Sequence, residues 1–289
     1  EDLKALGEIP YKEKFERTCT IAEAREKVGE RVKIAGRIIF KRVMGKFGFI
    51  QIRDINAKIQ VSVGRNELDE QAYDFYKKMI DIADFVGVEG EVYLTQTGEV
   101  TVRCEKITLL SKTLRPLPEK FHGLNDTETI YRQRYLDLIT NEKSRQVFLT
   151  RSKIESFIRR YLEDNGFIEV ETPVLQTSVS GASAKPFFTH HNALDIECNL
   201  RIATETWLKQ CISAGFDRVF EMGKDFRNEG MDPSHLQEFT QVEWYASYWN
   251  FEDNIKFFYE LVNKMLNACL GTTKVTYQGQ EIEFASQWP

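Results

Sequence analysis

Between Arg31 and Ile107 apolar and polar residues alternate in short runs: "RVKIAGRIIF", "FGFIQIRD", "AKIQVSVG", "GEVYLT" and "GEVTVRCEKI". A period of two puts every second side chain on one face of a strand, and the turn residues between the runs separate five such strands. "TQTGE" joins the last two as a hairpin. "DEQAYDFYKKMID" breaks the alternation with helical spacing. Five short strands with a helix before the last two predict a small closed barrel of the OB type, here over residues 1–110.

The pattern changes at residues 111–127, where "SKTLRPLPEKFHGLND" has two prolines, a glycine and no period. It reads as a linker to a second domain over residues 128–289. There "TRSKIESFIRRYLEDNG" sets Ile154, Phe157, Ile158, Tyr161 and Leu162 on one helical stripe, with Gly166 as its stop. "FIEVETPVL" predicts a strand ended by Pro173. "NFEDNIKFFYELVNKMLNACLG" predicts a helix capped by Asn250 and Asp253 and closed by Gly271. Its predicted buried face is Ile255, Phe258, Val262, Met265, Leu266 and Cys269. These apolar stripes are read as core.

Composition narrows the class. A chain of 289 residues, 42% hydrophobic, has enough material for two cores. A formal net charge of −5 argues against a protein that coats nucleic acid unspecifically, and leaves room for a local basic patch. The five cysteines (Cys19, Cys104, Cys198, Cys211, Cys269) are scattered and odd in number, which suggests thiols in a reducing compartment. No apolar run is long enough to span a bilayer, and the start has no signal-peptide layout, so a cytoplasmic protein off the membrane is expected.

The candidate chemistry lies in "DRVFEMGKDFRNEG…EFTQVEWY". Alternation predicts two strands joined by a long turn. Glu221, Asp225, Arg227 and Glu229 share one face of the first, and Phe239, Gln241, Glu243 and Tyr245 one face of the second. An ordinary surface hairpin wetted on its polar side is one reading. A face built to grip a charged, planar ligand is the other, since it sets an arginine among acids beside large aromatics.

"RVFEMGKDFRNEG…HLQEFTQVEWY" resembles motif 2 of the class II aminoacyl-tRNA synthetases, and "GFIEVETPVL" resembles their motif 1. "KTLRPLPEKFHGLNDTETIYRQRYLDLI", "KPFFTHHNALD", "LRIATETWLKQ" and "GFDRVFE" are similar to the bacterial lysyl-tRNA synthetases of that class. The likeness runs in order from about residue 20 onward. It implies an α+β chain, with an N-terminal OB-fold anticodon-binding barrel followed by an antiparallel sheet flanked by helices. The activity implied is ATP-dependent ligation of L-lysine to tRNA(Lys) through lysyl-adenylate, with Mg²⁺ as cofactor and a homodimer formed through motif 1.

The resemblance also assigns residues. Arg227 is the catalytic arginine that bridges the ATP α-phosphate and the amino-acid carboxylate, for which a planar fork that keeps its proton is suited. Glu229 would accept from the adenine amino group, Phe239 would stack on adenine, and His235 would lie near the terminal phosphates. For lysine, Glu205 would hold the α-ammonium, Glu243 and Tyr245 the side-chain ammonium, and Gly181 would belong to a closing loop. In the barrel Phe49 would stack on an anticodon base, Gln60 and Glu99 would read base edges, and Arg42, with Lys41 and Lys46, would follow phosphates. From the residues alone Phe49 fits equally a barrel core and a stacking surface. The family's motif 3, which carries the acids for Mg²⁺, finds no match after Gly230, so an incomplete catalytic domain without a metal site of its own is expected. Ser234, Leu236 and Gln237 also depart from the usual motif 2 loop.

Two alternatives stand beside the lysine ligase. One is an aspartyl- or asparaginyl-tRNA synthetase of the same subclass. The other is a non-catalytic tRNA-binding fragment, supported only by the lack of motif 3. Against the first, a site for an acidic side chain should offer cations, whereas "RIATE" and "VEWY" offer carboxylates and a phenol.

Overall fold

The alternating runs fold as strands whose inward residues fill a barrel. The computed structural model describes residues 2–117, 126–232 and 234–285. Two units divide the chain, Glu1–Thr140 and Asn141–Pro289.

In the first unit, short helices α1 (Asp2–Ala5) and α2 (Ile21–Arg25) precede β1 (Arg31–Met44), β2 (Phe47–Arg53) and β3 (Lys58–Gly64). Then come α3 (Glu70–Met79), β4 (Phe85–Leu94), β5 (Val100–Ser111), α4 (Thr127–Arg132) and α5 (Arg134–Thr140). The barrel closes in the order β1-β2-β3-β5-β4, with β3 and β5 parallel and the other neighbours antiparallel. This is the OB arrangement expected, including the helix before the last two strands. Ile50 and Ile52 of β2 point inward with Ile34, Val61 and Val88, and Tyr73 and Tyr76 of α3 plug the same core. Phe47, Phe49 and Gln51 take the outer side of β2. Thr20 caps α2 reciprocally with Glu23, and Asp69 caps α3. Residues 118–125 of the expected linker lie outside the described residues.

The second unit contains α6 (Glu142–Asp164), β6 (Ile168–Glu169), β7 (Leu175–Gln176), β8 (Phe188–His191), β9 (Ile196–Leu200) and α7 (Glu205–Ser213). It continues with β10 (Arg218–Phe226), β11 (Glu238–Ala246), α8 (Phe251–Leu270), β12 (Lys274–Tyr277) and β13 (Gln280–Glu283). β10 and β11 pair antiparallel along their whole length. β6 joins β10 in parallel, because the chain crosses through β7–β9 and α7 before returning to it. The sheet is therefore mixed and not wholly antiparallel. Tyr161, Leu162, Phe167, Phe220, Phe257 and Leu261 form the core between this sheet and helices α6 and α8.

Three expectations need correction. "FIEVETPVL" is not one strand: Ile168–Glu169 pairs with β10, Leu175–Gln176 pairs with β9, and the Val174 carbonyl between them accepts from Arg201 N at 2.9 Å. Helix α6 starts well before the apolar stripe, at Asn141, whose side chain accepts from the Lys143 and Ser144 amides. The cap and stop of α8 are as expected, with the Asn250–Asp253 box and Gly271 at φ +72°. Its buried side is rotated, however, to Phe257, Leu261 and Leu266, while Ile255 and Phe258 are exposed. Phe257 decides this, because its ring fits among Tyr161, Phe167, Trp244 and Trp249 at centroid distances of 5.2–5.9 Å.

Candidate functional site

β10 and β11 bring the predicted face together. Glu221 stands opposite Glu243, Gly223 opposite Gln241, and Asp225 opposite Phe239, so all six lie on one side of the pair. That side is not wetted as a surface hairpin would be: Glu221 is 5% and Asp225 0% exposed. Their countercharge is Arg201, which follows β9 and is itself buried. The Arg201 guanidinium pairs with Glu221, approaches Asp225 Oδ1 at 3.1 Å through Nε, and donates to Lys224 O at 2.9 Å and Thr172 O at 3.1 Å. It passes directly over Gly223, where an added Cβ would stand 2.4 Å from Nη2. A glycine in mid-strand here admits the close approach of another segment.

Arg227 follows the last residue of β10. Its amide donates to Gln237 O at 2.9 Å, its Nε to Ile202 O at 3.3 Å, and its guanidinium lies over the Phe239 ring at 5.1 Å. The arginine and the aromatic predicted to hold a nucleotide are thus in contact. Glu229 accepts from the Lys185 amide at 3.2 Å, so the turn after β10 is fastened to the loop before β8. His235 is exposed and pairs through Nδ1 with Asp232 at 2.7 Å, within the same turn.

The predicted lysine residues also converge. Gly181, at φ +87°, packs against Ala203 and Glu205, where an added Cβ would meet their Cβ atoms at 3.1 and 3.2 Å. Glu205 opens α7 and pairs with Lys209 one turn on. Lys209 Nζ also lies 5.9 Å from the centre of the Tyr245 ring. Glu243 accepts from Gln241 Nε2 through Oε1, while its Oε2 is buried near the Thr204 hydroxyl, and neither of these two atoms makes a hydrogen bond of ordinary geometry among the described residues. Burial raises the Glu243 pKa, with Glu205 and Glu221 adding to that, and the Thr204 side chain and Arg227 opposing it. Asp225 is raised to about 6, first by burial, with Arg201 drawing it back down and Glu243 pushing it up. Tyr245 is pushed up to about 12 by burial, with Glu243 and Glu205 adding to it. Burial is the first cause of each shift and neighbouring carboxylates add to it, so a cation bound beside Glu243 would favour its ionised form.

Sequence reasoning missed Arg201, a lone arginine in an apolar stretch far from β10 in the chain. Gly223 between two acids on one strand face was its signal. Among the described residues no group of three His, Cys, Asp or Glu is placed to hold a metal ion.

In the barrel, Phe49 is half-buried on the outer surface, edge-on to Phe47 at 4.9 Å and opposite Arg42. It is not part of the apolar core. Gln60 donates to Thr101 Oγ1 at 3.0 Å, and that hydroxyl donates to Glu99 O at 3.2 Å, so Gln60 and Glu99 form one linked edge. Arg42 is exposed. Lys41 is placed otherwise than expected: its ammonium caps the end of α3, donating to Tyr76 O at 2.9 Å, Lys77 O at 3.2 Å and Ile80 O. A cation so used stabilises the exposed carbonyls of a helix terminus and is withdrawn from phosphates.

Comparison with known proteins assigns a family to each of the two segments. Residues 126–289 match the family model described as tRNA synthetases class II (D, K and N), and residues 32–110 match the OB-fold nucleic acid binding domain. The chain is 49% identical to the lysine–tRNA ligase of Streptococcus mutans serotype c, over 98% of this chain and 59% of that protein. It is 48% identical to the enzyme of the same name from Streptococcus suis, over 98% of this chain and 60% of the relative. For that from Lactococcus lactis subsp. cremoris the identity is 46%, over 100% and 60%. The chain thus spans about three-fifths of the length of these relatives.

Proposed function

The chain belongs to the class II tRNA synthetases of the aspartate, lysine and asparagine group, and from that premise we propose that its protein ligates L-lysine to tRNA(Lys) with ATP, through lysyl-adenylate. The observation that carries the choice of lysine is Glu243, a half-buried carboxylate near Tyr245 and Glu205 whose Oε2 is itself buried with no hydrogen-bond partner of ordinary geometry among the described residues. An ammonium there would complete its hydrogen bonding and favour its ionised form. An aspartate side chain would meet carboxylates instead, since Arg201 is engaged by Glu221 and Asp225.

In this reading Arg227 bridges the ATP α-phosphate and the lysine carboxylate, Phe239 and Glu229 receive adenine, and His235 lies toward the terminal phosphates. Glu205 holds the α-ammonium, and the loop at Gly181 closes over it. The lysine carboxylate, ionised at neutral pH, attacks the α-phosphorus and pyrophosphate leaves. The terminal ribose hydroxyl of the tRNA then attacks the lysyl carbonyl carbon, the mixed-anhydride bond breaks, and AMP leaves with the hydroxyl proton lost to solvent or phosphate. No side chain has to abstract a proton in the first step, so the chain's part is alignment and the neutralisation of charge on phosphate oxygens. Mg²⁺ would accompany ATP, but the described residues provide no cluster to hold it, and no role for it is assigned to this chain.

We read residues 1–110 as the anticodon-binding domain, with Phe49, Gln60, Glu99 and Arg42 as its contacts, 111–127 as the linker and 128–289 as catalytic. The homodimer is assigned to α6 and residues 167–174, where Ile168 and Val174 are exposed apolar side chains. No described helix is long and apolar enough to cross a membrane; a cytoplasmic location is part of the proposal. The test is lysine-dependent pyrophosphate exchange in the full-length protein carrying Glu243→Gln. Losing a charged hydrogen bond in a buried site costs about 1.5–3 kcal/mol, so half-saturation by lysine should rise at least tenfold, with the ATP dependence little changed. An unchanged lysine dependence, or exchange driven by aspartate, would refute the assignment.

A further inference from the structure

The outer face of the barrel carries a second aromatic, Tyr93, on β4. Its ring reaches across β5, and its hydroxyl donates to Ser62 Oγ on β3 at 3.2 Å. Ser62 stands opposite Phe49 on one side and Arg103 on the other, so Phe49, Ser62 and Arg103 form one row across β2, β3 and β5. The Arg103 guanidinium lies over the Tyr93 ring, 4.8 Å from its centre. Its side chain is 45% exposed. The hydroxyl bond fixes the ring, and the ring covers one side of the guanidinium.

We propose that Arg103, held flat on Tyr93, is a second stacking platform of the barrel, taking an unpaired RNA base neighbouring the one on Phe49. This rests on the reading of the barrel as anticodon-binding, and on its match to a nucleic acid binding domain. Two strand steps separate Phe49 from Arg103, about 10 Å across the sheet, so two bases of one strand can lie on the two platforms without sharing either. Planar stacking on an arginine is one of the ways proteins hold splayed RNA bases. A simple phosphate contact is the competing role for an exposed arginine. Glu91 opposes it, because its carboxylate accepts from Arg103 Nη1 at 3.2 Å and offsets the positive charge. With both contacts made, the Arg103 side chain is still 45% exposed. The ordinary alternative is a surface pair that only braces the barrel.

The experiment compares Arg103→Lys and Arg103→Gln in the full-length protein, reading the affinity for a fluorescent anticodon stem-loop of tRNA(Lys) beside the thermal melt. Lysine keeps the charge and loses the plane. Both variants should bind the RNA about five- to a hundredfold more weakly, with the melting transition unmoved. Wild-type affinity in Arg103→Lys would overturn the stacking platform in favour of a charge contact. Wild-type affinity in both, while Phe49→Ala binds weakly, would reduce the pair to a structural brace. If the unaltered protein fails to bind the stem-loop, the anticodon reading of the barrel falls, and this inference with it.

Discussion

Replacing Gly223 by alanine tests the geometry beneath the candidate site with a single methyl group. An added Cβ would stand 2.4 Å from Arg201 Nη2 and 3.5 Å from Glu221 Oε1. The first contact is roughly 1 Å too short for ordinary packing. An arginine on the surface would swing aside. Arg201 has a side-chain exposure of only 3% and is held by Lys224 O, Thr172 O, Glu221 and Asp225. Crowding of this kind costs about 1–3 kcal/mol, and breaking the buried pair outright about 3–5 kcal/mol. Alanine gives back about 0.4–1 kcal/mol by restricting the unfolded chain. A net destabilisation of about 2–3 kcal/mol is expected. All four tryptophans of this chain lie in its second unit, so in this chain urea unfolding followed by tryptophan fluorescence reports on that unit. Gly230→Ala is the matched control, because an added Cβ there meets nothing within 4 Å. Equal stability of the two variants would mean that Arg201 is free to retreat, and the argument that its close approach requires a glycine at 223 would fail.

Asp225, with its pKa raised from 3.8 to about 6, keeps its proton in the folded chain at pH values where the unfolded chain has lost it. Its contribution to stability is therefore present below about pH 4 and lost as pH rises through 6, so Asp225→Asn should gain about 2–3 kcal/mol on the wild type between pH 4 and 7. Urea denaturation at the two pH values checks this, and a constant difference would contradict it. Phe49→Ala should weaken RNA binding by about 1–3 kcal/mol while the barrel melts as before; a loss of about 3–5 kcal/mol of stability would instead make Phe49 a core residue. The full-length protein should sediment as a dimer, and a strict monomer at micromolar concentration would count against the interface at α6 and residues 167–174.

What the sequence discloses depends on whether a side chain's partner lies on its own element. In "FGFIQIR" alternation groups Phe47, Phe49 and Gln51 on one face and Gly48, Ile50 and Ile52 on the other. With an aromatic pair on the first and isoleucines on the second, it does not say whether Phe49 fills the barrel; the closed barrel settles that by turning Ile50 and Ile52 inward. The same period puts Phe239, Gln241, Glu243 and Tyr245 on one side of β11, and Glu221 and Asp225 on one side of β10. Helix α8 is harder, since apolar residues at Phe257, Phe258, Leu261 and Val262 allow two adjacent stripes. The choice falls to the ring cluster supplied by α6 and β11, which no spacing within α8 encodes.

Arg201 is harder still. Twenty residues separate it from Glu221, and nothing local marks it as a partner. Its presence is nonetheless implied by its absence of alternatives: two carboxylates four residues apart on one strand face, both buried, require a cation from another segment. That cation needs room, and Gly223 between them provides it. In this chain the run from Glu221 through Gly223 to Asp225 marks the place where a distant buried arginine docks. Glu243, facing the same side without such a partner, is then the carboxylate left for a ligand's cation.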